Sequence, residues 1–528
     1  MLFNAESSVS KRLENELCQE LWKSAIQIFF DPEQIQWQRA KVIDSAVKME
    51  FVEEYDVIIV GAGMAGLGAA QYLCNNSNLR MLTLEARDRP GGRTHTVESH
   101  KCNMKIDLGG QFIGPGQHRI LSLIAKYGLT LIEQEFSHAE QTCNRLVELV
   151  NIQFEPLSDE GDKEIPFFID YIAKVGKDLD VEAPWTVENA AYLDGVSVLD
   201  FVDANIKTYE AKTEILMFVQ TVMACDPREC SFLFFLFNVT AGGGMDYLGD
   251  GPEGAQKWKV KSGTQQISEL WIKDMKTHFS DRFDIEFNSP VNRITQLSDK
   301  KLVVELTNGR QVRCAHVVVS LSPVLAASHL TFTPPLPQEK SELCEKMVRG
   351  HCIKLIVAFS QPFWEASESQ QGNPVVYHTL QKIGYVQNLF ASKAISDTGS
   401  QLYLLTGFIT GSTNVNKFSS LNAEERRATV LSQLSSLYSS TGEHDSVIFS
   451  PIDYYEVHWG AEEYSGGCFC GVLPPGLLTR CGSHLRESTH GGCVHWASTE
   501  TATAYYGYME GAILSGERAA AEIVVHSN

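Results

Sequence analysis

The apolar pattern changes period several times along the chain. Residues 55–60, Tyr-Asp-Val-Ile-Ile-Val, form a short β-branched run that predicts a buried parallel strand. Residues 67–73 carry a helical pattern directly behind a glycine-rich turn, and residues 81–84 predict a second short strand. Between residues 131 and 249 helical spacing dominates, with Phe232, Phe234, Phe235 and Phe237 read as core in preference to pocket. Residues 288–291 open another strand, residues 315–320 form a further apolar one, and residues 516–525 read as a closing helix. Ahead of all these, Val9, Leu13, Leu17 and Leu21 recur at helical spacing, and Asp31-Pro32-Glu33 starts a second helix. Residues 1–50 are therefore expected to be a helical extension. Its acids Glu6, Glu14, Glu16 and Glu20 do not suit a mitochondrial transit peptide. The longest apolar stretch, residues 232–239, is too short to span a bilayer, so no transmembrane segment is expected.

Length changes the picture next. A chain of 528 residues exceeds one ordinary core, which points to two interleaved domains. A net charge of −21 argues against nucleic acid as a partner and reads as solubility before steering of cationic ligands. The thirteen cysteines are odd in number and lack C-x-x-C pairs. No secretory signal is read before them, so reduced thiols in a soluble cytoplasmic protein are expected, with no metal site.

The most local chemistry lies behind the first strand. Gly61-Ala62-Gly63-Met64-Ala65-Gly66 is a G-x-G-x-x-G between strand and helix, and Glu85 ends the second strand about two dozen residues later. Gly61 is expected to make the tight turn, Gly63 to admit a pyrophosphate and Gly66 to let helix and strand pack closely. The helix start, with Met64 and Ala65, would offer free N–H groups to phosphate, and Glu85 would accept from ribose hydroxyls. Together these predict a dinucleotide site.

The continuation Glu85-Ala86-Arg87-Asp88-Arg89-Pro90-Gly91-Gly92-Arg93 resembles the EAR-x-R-x-GGR segment of the flavin amine oxidase superfamily. That resemblance implies FAD, with Ala86, Arg87 and Gly92 in its site and Arg93 bidentate on the diphosphate. Asp107-Leu108-Gly109-Gly110-Gln111-Phe112 is similar to a stretch that passes the flavin ring in monoamine oxidases, which places Gly109, Gly110, Gln111 and Phe112 there. L-amino-acid oxidases carry a carboxylate-clamping Arg in this neighbourhood, where this chain has Gln111 and Phe112, so amino-acid substrates recede. Trp459, followed by Tyr464-Ser465-Gly466-Gly467-Cys468-Phe469 and Pro474-Pro475-Gly476, resembles the monoamine oxidase segment whose Cys forms a thioether to the flavin 8α-methyl carbon. Thr499-Glu500-Thr501 and Gly507-Tyr508-Met509-Glu510-Gly511-Ala512 resemble the closing signature, which adds Glu500, Tyr508 and Met509 to the cofactor site. Val291 falls where the family contacts adenine.

The resemblance spans roughly residues 52–526. It implies an α/β (mixed α+β) fold, with a Rossmann-like FAD-binding domain at 51–125, 254–345 and 456–528 interleaved with a substrate domain of mixed sheet and helices at 126–253 and 346–455. It further implies oxidative deamination of an amine, with a small-molecule amine and oxygen as partners. Tyr508 and Phe469 would flank the amine, Phe469 standing where monoamine oxidases have a second Tyr. His329 stands where the family has a Lys that holds a water against the flavin, so its support of oxygen chemistry is left open. A polyamine oxidase and a flavin-binding subunit without activity remain as alternatives, and a homodimer is left open. Monoamine oxidases end in a membrane-anchoring helix on the mitochondrial surface, which is not expected here.

Overall fold

The expected first strand forms as β1 (Glu53–Val60), followed at once by helix α1 (Met64–Asn76) and strand β2 (Met81–Leu84). This computed structural model describes residues 53–365 and 384–527, apart from 100, 102–103, 135–157, 159, 250–252, 396–400 and 440–441. The two helices expected in residues 1–50 lie outside the described residues. Nearly all that is described belongs to one unit, Glu54–Asn528.

The fold is mixed α/β. Its larger sheet continues with β3 (Phe283–Glu286), β4 (Val291–Gln296), β5 (Leu302–Leu306), β6 (Gln311–Val319) and β7 (Thr331–Thr333). The strand order is β7-β4-β5-β6-β1-β2-β3. β1, β2 and β3 are parallel, Val57 lying opposite Met81 and Met81 opposite Phe283. β4, β5 and β6 run antiparallel in succession. Inner strands covered on both faces read as unbroken apolar runs: Val57, Ile58, Ile59, Val317, Val318 and Val319 are all fully buried.

A second sheet is wholly antiparallel, in the order β9-β10-β8-β11, from β8 (Cys352–Phe359), β9 (Asn388–Ile395), β10 (Gln401–Thr410) and β11 (Asp453–His458). The chain then returns to the first sheet, where β12 (Val494–Trp496) pairs in parallel with β6.

Of the stretch 131–249 expected to be helical, Leu131–Glu133 is a strand and 135–157 lie outside the described residues, while helices dominate from Gly161 to Leu248. Within it α2 (Phe232–Ala241) is buried and apolar apart from Asn238 and Thr240, and the Phe201 and Phe232 rings stack at 3.6 Å. The phenylalanine run is core. Helix α3 (Pro323–His329) precedes β7, and α4 (Met509–Ser527) shares an apolar cluster with α1 through Leu67 and Ile513. This last helix starts seven residues before the expected 516, so Met509 opens it. No helix among the described residues is long and apolar enough to cross a membrane.

Candidate active site

The turn after β1 behaves as its glycines require. Gly61 has φ +102°, a region that favours glycine. A Cβ on Gly66 would stand 2.0 Å from the Gly61 carbonyl oxygen, so only hydrogen lets α1 lie this close. Gly63 caps α1 without a side chain, which leaves the first N–H groups of the helix without an internal acceptor. They border a cavity of about 260 Å³. Its walls include Gly61, Gly63, Met64 and Ala65 from the turn, and Glu85, Ala86, Arg87, Gly92 and Arg93 from the loop after β2. Val291 and His329 line it from β4 and α3.

A second cavity of about 180 Å³ adjoins the first. Gly110, Cys468, Phe469, Gly507, Tyr508 and Met509 line both. Gly109, Gln111, Phe112 and Trp459 line only the second. Aromatic rings run along it: Phe112 to Phe390 at 4.9 Å, Phe390 to Phe408 at 6.0 Å and Phe408 to Phe469 at 5.8 Å. No Asp or Glu is among its described lining residues.

Buried ion pairs fasten the shared wall. Arg93 is bidentate to Glu500, at 2.8 and 3.0 Å, and donates to the Phe469 carbonyl at 2.8 Å. Burial raises the Glu500 carboxyl, but the Arg93 charge and hydrogen bonds outweigh it and hold the group below the usual carboxylate range. Arg87 grips Glu462 and donates to Ser465 Oγ at 2.9 Å, which ties the loop after β2 to the cysteine segment. Lys354 of β8 is buried, its Nζ donating to Asp107 O at 2.7 Å, Gly109 O at 2.8 Å and Gln111 Oε1 at 2.6 Å. Desolvation pushes this ammonium down to about 8 against the pull of Asp107.

Several of the expected site residues also have partners within the chain. The Arg93 fork, expected on a diphosphate, closes on Glu500, because a fully buried carboxylate needs a paired cation. Glu500 lines neither cavity and acts through Arg93. Glu85 lines the first cavity and accepts from the Ala62 N–H at 2.7 Å and the Arg87 N–H at 3.0 Å, which ties the glycine turn to the loop after β2. Trp459 borders the second cavity, its indole N–H donating to Leu108 O at 3.0 Å. His329 borders the first cavity beside Tyr464, with Ser328 Oγ 2.9 Å from its Nδ1. It is not part of the shared wall. Gly66 lines neither cavity and serves packing alone.

Sequence reading missed Cys352, Lys354, Asn388, Phe390 and Phe408, which β8, β9 and β10 bring to the second cavity. The one local signal was Lys354, a lone charge in an otherwise apolar strand.

Residues 64–524 match the family model for flavin containing amine oxidoreductases. The chain belongs to that family. This amine oxidase is 32% identical to human amine oxidase [flavin-containing] B over 486 residues, 89% of this chain and 86% of that one. It is also 32% identical to a probable flavin-containing monoamine oxidase A of Dictyostelium discoideum over 474 residues, 89% of this chain and 97% of that one. Among solved structures it is similar to cyclohexylamine oxidase from Brevibacterium oxydans, at TM-score 0.75 and 26% identity, covering 90% of this chain and 99% of that one. A putrescine oxidase bound to putrescine matches at TM-score 0.75 and 25% identity, covering 89% and 99%.

Proposed function

We propose that this amine oxidase deaminates a primary or secondary arylalkyl amine, with FAD along the larger cavity and the amine in the smaller one. The wall common to both cavities carries this reading. A ring lodged at Gly110, Cys468, Phe469, Tyr508 and Met509 belongs to the first cavity and faces the second. The helix start at Met64 and the bare Gly63 cap suit a phosphate, and the buried, unpartnered Asn292 Oδ1 on the same cavity wall suits a donor, such as a hydroxyl or amino group of a nucleotide. Gly61, Ala65, Ala86, Arg87, Gly92, Arg93 and Val291 complete its bed. Bound there, FAD supplies hydride acceptance from the amine α-carbon and delivery of the electrons to oxygen, giving hydrogen peroxide.

The chain's own part is placement. Phe469 and Tyr508 offer π faces that guide the amine, and Gln111 is held in the wall by Lys354. The Lys354 ammonium lines the same cavity and favours entry of the amine in its neutral form, which is also the form able to give up hydride. Water hydrolyses the resulting imine to aldehyde. Cys468, lining both cavities, is suited to a thioether with the flavin.

Among amines, the described lining of the second cavity favours a monoamine over a polyamine, because no carboxylate receives a second ammonium. Burying such a charge unpaired costs several kcal/mol, enough for roughly a hundredfold. Peroxide release by the holoenzyme should give phenethylamine a kcat/KM about a hundredfold above that of putrescine. Preference for putrescine overturns the substrate class, and silence toward every amine overturns the oxidase reading.

A further inference from the structure

One face of the second sheet walls the second cavity. Asn388 of β9 lies opposite Phe408 of β10, and Phe408 lies opposite Lys354 of β8. Residues paired across strands share a face, so the three point together, and all three line the cavity. Phe390, two on from Asn388, points the same way, its ring 6.0 Å from that of Phe408. The Phe408 ring lies 5.8 Å from Phe469 of the shared wall. The Cys468 N–H donates to Gly350 O at 3.1 Å, which seats the cysteine loop on the β8 side of the sheet. With the strand order β9-β10-β8-β11, Asn388 thus lies across Phe408 from that loop, one strand spacing of about 4.8 Å further out. The polar groups of this wall are engaged unequally. Lys354 donates to three acceptors, and Gln111 Oε1 is one of them. Asn388 is only 4% exposed, yet its Oδ1 is buried with no hydrogen-bond partner. Gln256 Oε1 is a second buried oxygen on the lining without a partner.

We propose that Asn388 determines specificity by accepting a hydrogen bond from a hydroxyl or amino group on the substrate's ring, at the edge remote from the amine. This rests on the reading that the amine occupies the second cavity with its nitrogen at Phe469 and Tyr508. An aryl ring laid along Phe408 from that wall brings its far edge to Asn388. The neighbours of Asn388 on this face, Phe390 and Phe408, have no donor to offer, so the ligand supplies it. A ring without a donor leaves the amide oxygen buried and unpaired, and a site built around such an acceptor rejects the analogue that lacks the proton. A methoxy group reaches as far and has no proton, so it gains nothing. Leucine at this position removes the acceptor while keeping the bulk, and turns the same wall toward unsubstituted rings.

The test uses the full-length, FAD-loaded enzyme as wild type, Asn388→Leu, Asn388→Ala and Gln256→Leu. Each is mixed anaerobically with phenethylamine, 4-hydroxyphenethylamine and 4-methoxyphenethylamine, and flavin bleaching gives kred and Kd. In wild type the hydroxyl compound should exceed both others in kred/Kd by about tenfold or more. In Asn388→Leu that ratio should fall to about one, chiefly through Kd, with phenethylamine bound more tightly than in wild type. Asn388→Ala should lose the preference too, and carries the comparison if the Leu variant fails to fold. Binding without chemistry is read as the Tm shift given by 4-propylphenol and propylbenzene, which have no amine. The phenol should shift wild type further than the hydrocarbon, and the difference should vanish in both Asn388 variants. No hydroxyl preference in wild type, or one that survives both Asn388 variants, overturns the proposal. A preference lost only in Gln256→Leu overturns it as well, and so does methoxy matching hydroxyl. If no amine bleaches the flavin, the reading of the second cavity as the amine site fails, and the two amine-free ligands still decide the role of Asn388.

Discussion

Replacing Glu500 with Gln tests how the wall between the two cavities is fastened. The Glu500 carboxylate is fully buried and accepts from Arg93 at 2.8 and 3.0 Å and from the Gly471 N–H at 3.2 Å. Glutamine keeps the shape and one oxygen, loses the charge and turns an NH₂ toward a guanidinium that can only donate. Breaking one side of a buried pair costs about 3–5 kcal/mol. The Arg93 side chain is 25% exposed and recovers some water, so the low end, about 3 kcal/mol, is expected. Unfolding entropy of about 2.1 cal/mol/K per residue, applied to the Glu54–Asn528 body, converts this to roughly 3 °C in Tm. Urea and thermal unfolding followed by tryptophan fluorescence measure it. The sign with pH follows from the depressed carboxyl. Its stabilisation is complete above the unfolded value of about 4.3 and fades as pH falls through the lower folded value. The gap between wild type and Glu500→Gln should therefore be full at pH 7, begin to narrow below about pH 4 and close as pH falls through the depressed folded value. Equal stability at pH 7, or a gap that persists in acid, would refute this reasoning.

Gly66→Ala forces a Cβ to within 2.0 Å of Gly61 O, and should weaken flavin retention roughly tenfold or more, read as flavin per protein after gel filtration. Lys354→Met leaves Asp107 O, Gly109 O and Gln111 Oε1 without their donor and should cost about 3 kcal/mol in urea unfolding. Because the folded ammonium titrates at about 8 and the unfolded one near 10.4, the unfolded state binds more protons between these values. Wild-type stability should gain from this group as pH rises through that window, and Lys354→Met should lack the gain. Tyr508→Ala should lower amine kcat/KM at least about tenfold while Tyr508→Phe stays within about threefold, since the ring face and not the hydroxyl guides the amine.

What was legible in the sequence was what short stretches dictate. The run from β1 through Gly61, Gly63 and Gly66 into α1 is local, and each glycine meets its constraint within a few residues. The phenylalanine run read correctly as core because four phenylalanines within six residues of one helix leave it no broad polar face for solvent, and all four are buried. Partners across the chain were out of reach. Arg93 could be chosen as a site residue, but Glu500, 407 positions away, takes its fork. Lys354 sits in a strand whose pattern says only that it is buried, and its use depends on the Asp107, Gly109 and Gln111 oxygens that meet it there. Trp459 was read from a motif as a cofactor residue, while its indole position was set by the Leu108 carbonyl.

The most direct test of the account is anaerobic titration of the yellow holoenzyme with phenethylamine, watching flavin absorbance. Bleaching of the flavin by the amine, and return of colour when oxygen is admitted, is the result predicted for a ring lodged in the wall that Cys468, Phe469 and Tyr508 share between the cavities. Folded, flavin-loaded protein that no amine bleaches would contradict it.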